Sequence, residues 1–250
     1  MDPERELPQA LSALQKYFDA AGEACDFPRL EASRERGHLA VCLESLADFD
    51  PGRVQIAAQT AFWVNLYNAA VLRDTPELVL ALGAGGAALV EYYERARLRL
   101  GKLEYSLDDL YHGVLRGNAP APGRFRAPMK KDDPRLAHVP IALDDRLHFA
   151  LWRGARSSPA FRVCEAGRLD QALEEAAARY LRRTVRVEAA ARTITAPELL
   201  RWFAADFGGG NGVLEFVLER LDEATLEPLE PDLGRLRLRY APFDWRPAAR

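Results

Sequence analysis

Cysteine is scarce in this chain. Cys25, Cys42 and Cys164 are the three in 250 residues, scattered and without a C-x-x-C pair, so neither a disulfide framework nor a thiolate metal site is expected. Charge of one sign does not dominate: 34 Lys and Arg stand against 37 Asp and Glu, a net -3, which argues against a nucleic-acid binder working by bulk charge. Long apolar runs are missing too. The longest, Leu78 to Val90, holds three glycines and is too short to span a bilayer. The opening Met1-Asp2-Pro3-Glu4-Arg5-Glu6 lacks the basic-then-apolar order of an export signal. These absences predict a soluble, cytoplasmic protein with no cofactor, no metal, and no nucleic-acid or membrane partner. What remains is ordinary for a folded protein, with 48% hydrophobic and 28% charged residues in a length that suits one large domain.

The stretch around which the chain is organised is Ala61-Phe62-Trp63-Val64-Asn65-Leu66-Tyr67-Asn68-Ala69-Ala70-Val71-Leu72. It is apolar around its whole circumference, which predicts a buried helix. Asn65 and Asn68 lie three apart on one face, and each amide needs partners once water is gone. Their expected role is to tie neighbouring loops to the core, or to orient a group at the floor of a cleft.

Along the chain, helical spacing predicts helices over 8–21, 28–47 and 53–73, with a further one opened by Asp74-Thr75-Pro76-Glu77 and broken between Gly83 and Gly86. Alternation predicts a hairpin from Arg97 to Tyr105. Ser106-Leu107-Asp108-Asp109 has capping-box spacing and should start a helix carrying His112 and Arg116. Residues 117–144, rich in Pro, Gly and charge, form a long irregular loop in this reading. Leu147 to Leu151 is a buried strand or short helix, Leu169 to Leu181 an amphipathic helix, and 185–187 with 193–195 a hairpin. Helices over 196–206 and 212–221 and a closing strand over 236–240 complete the picture. The expected fold is α+β: one mostly helical domain with a small antiparallel sheet and hairpins, residues 1–48 packing on it as an N-terminal helical segment.

The four histidines are few enough to weigh singly. His38, beside Arg34 and Arg36, belongs on a solvated face, and His138 lies in the long loop with no partner nearby. His112 is one turn from Asp108, which could fix its tautomer, and one turn from Arg116. His148 is embedded in Leu147, Phe149 and Leu151 and leads into Gly154-Ala155-Arg156-Ser157-Ser158-Pro159, a turn suited to a nucleophile or to backbone donors aimed at an anion. From Gly117 to Arg168 ten Lys or Arg face five Asp or Glu, a surplus of five positive charges. Arg153 and Arg156 belong to that surplus, and the planar fork of arginine matches a carboxylate or phosphate.

Taken in order, Phe62 to Ala69, Ser106 to Arg116, Leu147 to Leu151, and Gly154 to Pro159 resemble successive signatures of the domain of unknown function 547 (DUF 547) family. Asp206-Phe207-Gly208 and the closing Tyr240 to Trp245 are similar to that family's tail. The resemblance covers roughly residues 50 to 245, making 49–250 one DUF 547-like domain, and it brings no activity with it. It implies that the Asn-bearing helix, His112, His148, the Ser-Ser-Pro loop and Asp244 come together. Three departures stand out: Ser158 where members carry cysteine, Trp152-Arg153 where they often carry Asn-Cys, and Arg73 where they often carry histidine. A Cys/His site resembling thiol hydrolases is the natural expectation for such relatives. Here the thiolate is absent and two of the three changes introduce arginine.

Two readings follow. In the first, a degenerate thiol-enzyme-like cleft lined by Asn65, Asn68, His148, Arg153, Arg156 and Asp244 binds a small anionic ligand or a peptide carboxylate. In the second, Ser158 is the nucleophile of a serine hydrolase or acyl transferase, with His148 or His112 as base and Asp108 or Asp244 as orienter. Pro159 directly after Ser158 removes an N–H that an oxyanion would use, which favours the first.

Overall fold

Twelve consecutive buried residues, Ala61 to Leu72, set the architecture of the computed structural model, which describes residues 3–95, 97–141 and 143–250. Met1 and Asp2 of the N-terminal segment and Ala142 of the long loop lie outside the described residues. In chain order the first six helices are α1 (Pro3–Ser12), α2 (Phe27–Glu31), α3 (Arg34–Ser45), α4 (Gln59–Arg73), α5 (Thr75–Ala84) and α6 (Gly86–Glu94). Because α4 is apolar all round, it must be covered on every side. Helices α1, α3 and α5 and the segment Asp109–Leu115 pack against it. The fold is α+β and mostly helical.

Several boundaries differ from the sequence expectation, each for a local reason. The helix expected over 8–21 runs from Pro3 to Ser12, where the Ser12 hydroxyl turns back to donate to the Pro8 carbonyl (2.8 Å). The helix expected over 28–47 is two, because Ser33 caps α3 by accepting from Arg36 N (3.1 Å) while Asp26 caps α2. Before α4, 3₁₀ turns occupy Pro51–Arg53 and Ile56–Ala58, so the helix starts six residues late. Of the two readings of Leu147 to Leu151, the short helix holds in part, as a 3₁₀ helix over Asp145–Phe149.

The capping box at Ser106 is formed in both directions: Ser106 Oγ accepts from Asp109 N, and an Asp109 carboxylate oxygen accepts from Ser106 N, both at 2.9 Å. The helix it opens is a π-helix, Asp109–Leu115. Its wide pitch continues into the exit, where Arg116 N donates to Tyr111 O (3.0 Å) and Asn118 N to Gly113 O (2.8 Å), both five residues back.

Strands β1 (Leu98–Leu100) and β2 (Leu103–Tyr105) form the expected hairpin, with Leu100 opposite Leu103. A second sheet joins β3 (Arg186–Glu188), β4 (Thr193–Pro197) and β5 (Arg237–Ala241). Its β3–β4 pair is the second expected hairpin, antiparallel, and β5 adds a parallel strand beside β4, with Leu238 opposite Ile194. A parallel partner needs a long crossover, supplied here by α8 (Glu198–Trp202), α9 (Gly209–Leu218) and α10 (Glu223–Leu226). Helix α7 (Leu169–Thr184) presents Leu173, Ala176, Ala177, Tyr180 and Leu181 to the core.

After β5 the chain runs back across the molecule. Asp244 N donates to Ser157 Oγ (2.8 Å) and Arg156 N to Arg246 O (2.9 Å). Cys25 N donates to Ala248 O (2.8 Å), and Arg250 N donates to Cys25 O (3.0 Å). Among the described residues, no helix is long and apolar enough to cross a membrane.

Candidate functional site

The two buried amides of α4 clamp one loop at both ends. Asn68 Nδ2 donates to Ala150 O and Asn68 Oδ1 accepts from Trp152 N, both at 2.9 Å. Asn65 does the same at Cys164, donating to its carbonyl (2.7 Å) and accepting from its N–H (2.9 Å). Each amide thus imitates a strand partner for a segment that has none. Between the clamps Gly154, at φ +70°, packs so tightly on Leu78 of α5 that a β-carbon would collide with it. The loop is therefore fixed, and with it Arg153.

Arg153 is buried (4% exposed) and starts a hydrogen-bond chain whose direction can be worked out group by group. Arginine only donates, so Arg153 Nη2 gives a proton to the Tyr111 hydroxyl oxygen at 2.7 Å. Tyr111 must then donate its own proton to His148 Nδ1, at 2.6 Å. That puts the imidazole hydrogen on Nε2, which faces Asp206 Oδ2 at 3.0 Å. Asp206 also accepts twice from Arg116, from Nε (2.6 Å) and Nη2 (2.8 Å). Arg116 Nη1 donates to His112 Nδ1 at 2.9 Å, so His112 carries its proton on Nε2, which points towards Asp108 Oδ1 3.9 Å away.

Both ends of this chain meet in one cleft of about 300 Å³, lined by Tyr67, Tyr93, Asp108, Tyr111, His112, Pro122, Arg153, Trp202, Phe203 and Trp245. The electrostatics agree with the assigned protons. Burial, helped by the charges of Arg116 and Arg153, pushes His148 down to about 4 against the opposing pull of Asp206. Burial and then Arg116 hold His112 well below its usual value. Asp206 resists its own burial through His148 and Arg116, which keep its carboxyl below the ordinary carboxylate range. Asp108 has no ion-paired Lys or Arg among the described residues, and the charge of Arg124 only partly offsets its surroundings. Burial, and next the negative charge of Glu94, raises it to about 6. The ring of His148 stacks on Phe203, centroids 4.2 Å apart.

A family model described as "Protein of unknown function, DUF547" matches residues 52–181, just over half of the chain. The chain belongs to the DUF547 family. No curated protein and no solved structure matches it. Within this DUF547 chain the matched segment supplies Tyr111, His112, Arg116, His148 and Arg153, whereas Asp206 and the aromatic wall of Trp202, Phe203 and Trp245 come from beyond it.

The residues singled out from the sequence fall into three places. His112, His148 and Arg153 join the hydrogen-bond chain. Asn65 and Asn68 support the loop and do not line the cleft. Ser158, Arg156 and Asp244 belong to the junction between loop and tail: Ser158 is 2% exposed and its Oγ accepts from Arg153 N (2.7 Å), Arg156 is exposed, and Asp244 pairs with Arg246 (2.6 Å). Both ring nitrogens of His148 are engaged elsewhere. His138, expected to lack a partner, meets the Tyr105 hydroxyl at Nδ1 (2.8 Å). Arg73 pairs with Asp74 (2.7 Å). Among the contributors with no role assigned from the sequence are Tyr67, Tyr93, Tyr111, Asp206, Trp202 and Phe203. Tyr111 adjoins His112 in sequence, and that was the one available signal. Asp206 is ninety residues from Arg116 and only folding pairs them. No group of three His, Cys, Asp or Glu able to hold a metal ion occurs among the described residues.

Proposed function

We propose that this cleft binds a small anionic molecule or a peptide carboxylate, with Arg153 as the charge that recognises it. The observation that carries the reading is the state of Arg153: buried, lining the cleft, donating to two neutral groups (Leu151 O at 2.9 Å and Tyr111) and without an ion-pair partner among the described residues. An unpaired buried cation is destabilising by several kcal/mol, and an anionic ligand supplies the missing counter-charge. The hydroxyls of Tyr67 and Tyr93 point the same way, since both are buried and neither makes a well-formed hydrogen bond among the described residues. The aromatic wall offers apolar contact area around these few polar groups, the usual composition of a small-molecule site.

The hydrolase reading finds less support. Ser158 Oγ is occupied by the Arg153 N–H, and no imidazole hydrogen-bonds to it among the described residues, so nothing takes its proton. The protein is thus read as a binding member built on a thiol-enzyme-like site. The test is titration with 3-phenylpropanoate, followed through tryptophan fluorescence and thermal shift. Binding is expected for the acid and not for its primary amide, and it should fall at least about tenfold in Arg153→Met. Equal binding of acid and amide would overturn the reading without relying on a variant that must fold.

A further inference from the structure

A second cleft of about 530 Å³ adjoins the first and shares two of its lining residues, Asp108 and His112. Its other walls come from the loop after the π-helix, including Arg124, Phe125 and Arg126. Asp108 and His112 thus stand at the waist between the two clefts. They are close without being bonded. At 3.9 Å the Asp108 carboxylate is too far from His112 Nε2 for a hydrogen bond, and it accepts no other among the described residues. His112 has a proton to give, because its Nδ1 is already filled by Arg116. The waist therefore offers one unused acceptor beside one unused donor, both largely withdrawn from water.

We infer that the occupant of the two clefts is the free C-terminus of a peptide, with an aromatic last residue and an acidic residue before it. The inference rests on the carboxylate reading of Arg153 and extends it across the waist. The terminal carboxylate meets Arg153. The last side chain lies against Trp202, Phe203 and Trp245. The last amide then reaches the waist, where its N–H donates to Asp108 and a peptide carbonyl accepts from His112 Nε2–H. An amide is the common group that brings both a donor and an acceptor to such a place. Upstream, the chain enters the second cleft, where Arg124 is already paired with Glu94 but exposed Arg126 has no ion-pair partner among the described residues. A carboxylate one residue before the end would find its counter-charge there. Phe125, fully exposed at this mouth, gives the incoming backbone an apolar surface.

The test compares four probes on the full chain by fluorescence titration and calorimetry: 3-phenylpropanoate, N-acetyl-phenylalanine, N-acetyl-Glu-Phe and the C-terminal amide of the last. Expected affinity rises about tenfold from the first to the second and again, by about threefold, to the third, with the amide at least tenfold weaker than its acid. Asp108→Asn should abolish the gain of the second probe over the first. Arg126→Ala should remove only the gain of the third over the second, and as an exposed residue it does not threaten folding. If 3-phenylpropanoate binds but the acetylated probes bind no better, the peptide inference fails and the carboxylate site stands. If none of the four binds, both fail.

Discussion

Two tyrosines of the cleft offer a matched experiment, because they are alike in burial and opposite in hydrogen bonding. Tyr111 is 4% exposed; its hydroxyl accepts from Arg153 and donates to His148. Tyr67 is fully buried and its hydroxyl makes no well-formed hydrogen bond among the described residues. Replacing either by Phe deletes one oxygen and leaves the ring in place. In Tyr111→Phe the change leaves an Arg153 N–H and His148 Nδ1 unsatisfied, two buried polar groups at about 1–3 kcal/mol each. Allowing for partial relaxation, the expected loss is about 2–4 kcal/mol, which for a chain of this size lowers Tm by roughly 5–15 °C. In Tyr67→Phe nothing is orphaned and an unmatched polar atom is removed, so stability should stay within about 0.5 kcal/mol or rise. Urea denaturation followed by circular dichroism, with m-values compared, measures both. Equal losses in the two variants would refute the directional hydrogen-bond chain. The same pair then separates stability from binding, because Tyr67→Phe should weaken capture of 3-phenylpropanoate while leaving the empty protein as stable as before.

Further outcomes follow from the same structure. Asn65→Ala and Asn68→Ala should each lower stability by about 1–3 kcal/mol through the backbone groups they release, read as a reduced urea midpoint at unchanged m. Stability should fall as pH drops from about 6.5 to about 4. Over that window the unfolded state protonates His148 and His112 while the folded state keeps them neutral. Asp108 acts in the opposite sense, since its folded value of about 6 lies above that of an unfolded aspartate and it takes up a proton on the folded side first. The histidines set the sign over this window, and Asp108→Asn should raise stability at pH 7 and steepen the fall. Thermal melts across the window check both signs. A fluorophosphonate probe should leave Ser158 unlabelled by intact mass, and stoichiometric labelling lost in His148→Ala would restore the hydrolase reading.

Much of this molecule is legible in the sequence, and the reason differs from part to part. Helix α4 is apolar on every side, and no other environment suits such a helix. Ser106 and Asp109 announce a helix start because capping is a contact between near neighbours. The same cap says nothing about the pitch that follows, so the π-helix stays hidden. Ser33 is a cap inside an apparent helix and leaves no local mark, because its neighbours on both sides keep helical spacing. The parallel seating of β5 on β4 depends on how three intervening helices pack, which no local pattern encodes. At the site, His112, His148 and Arg153 stand out by residue type and company. Asp206 does not, because the arginine and imidazole that hold it are ninety and fifty-eight residues away.

That separation has a consequence for how the protein is made. Asn68 fixes the loop that carries Arg153, yet the cleft wall is not complete until Trp245 has been added. At translation rates of about 5–20 residues per second, the interval between them is roughly ten to thirty seconds. During it, the cleft waits without the wall that Trp202 and Trp245 supply, and contacts of such long range close slowly. Newborn chains should therefore depend on chaperones that shield the open cleft. A codon change that slows translation between Asn68 and Trp245 should also lower the folded yield without altering a single residue of the product.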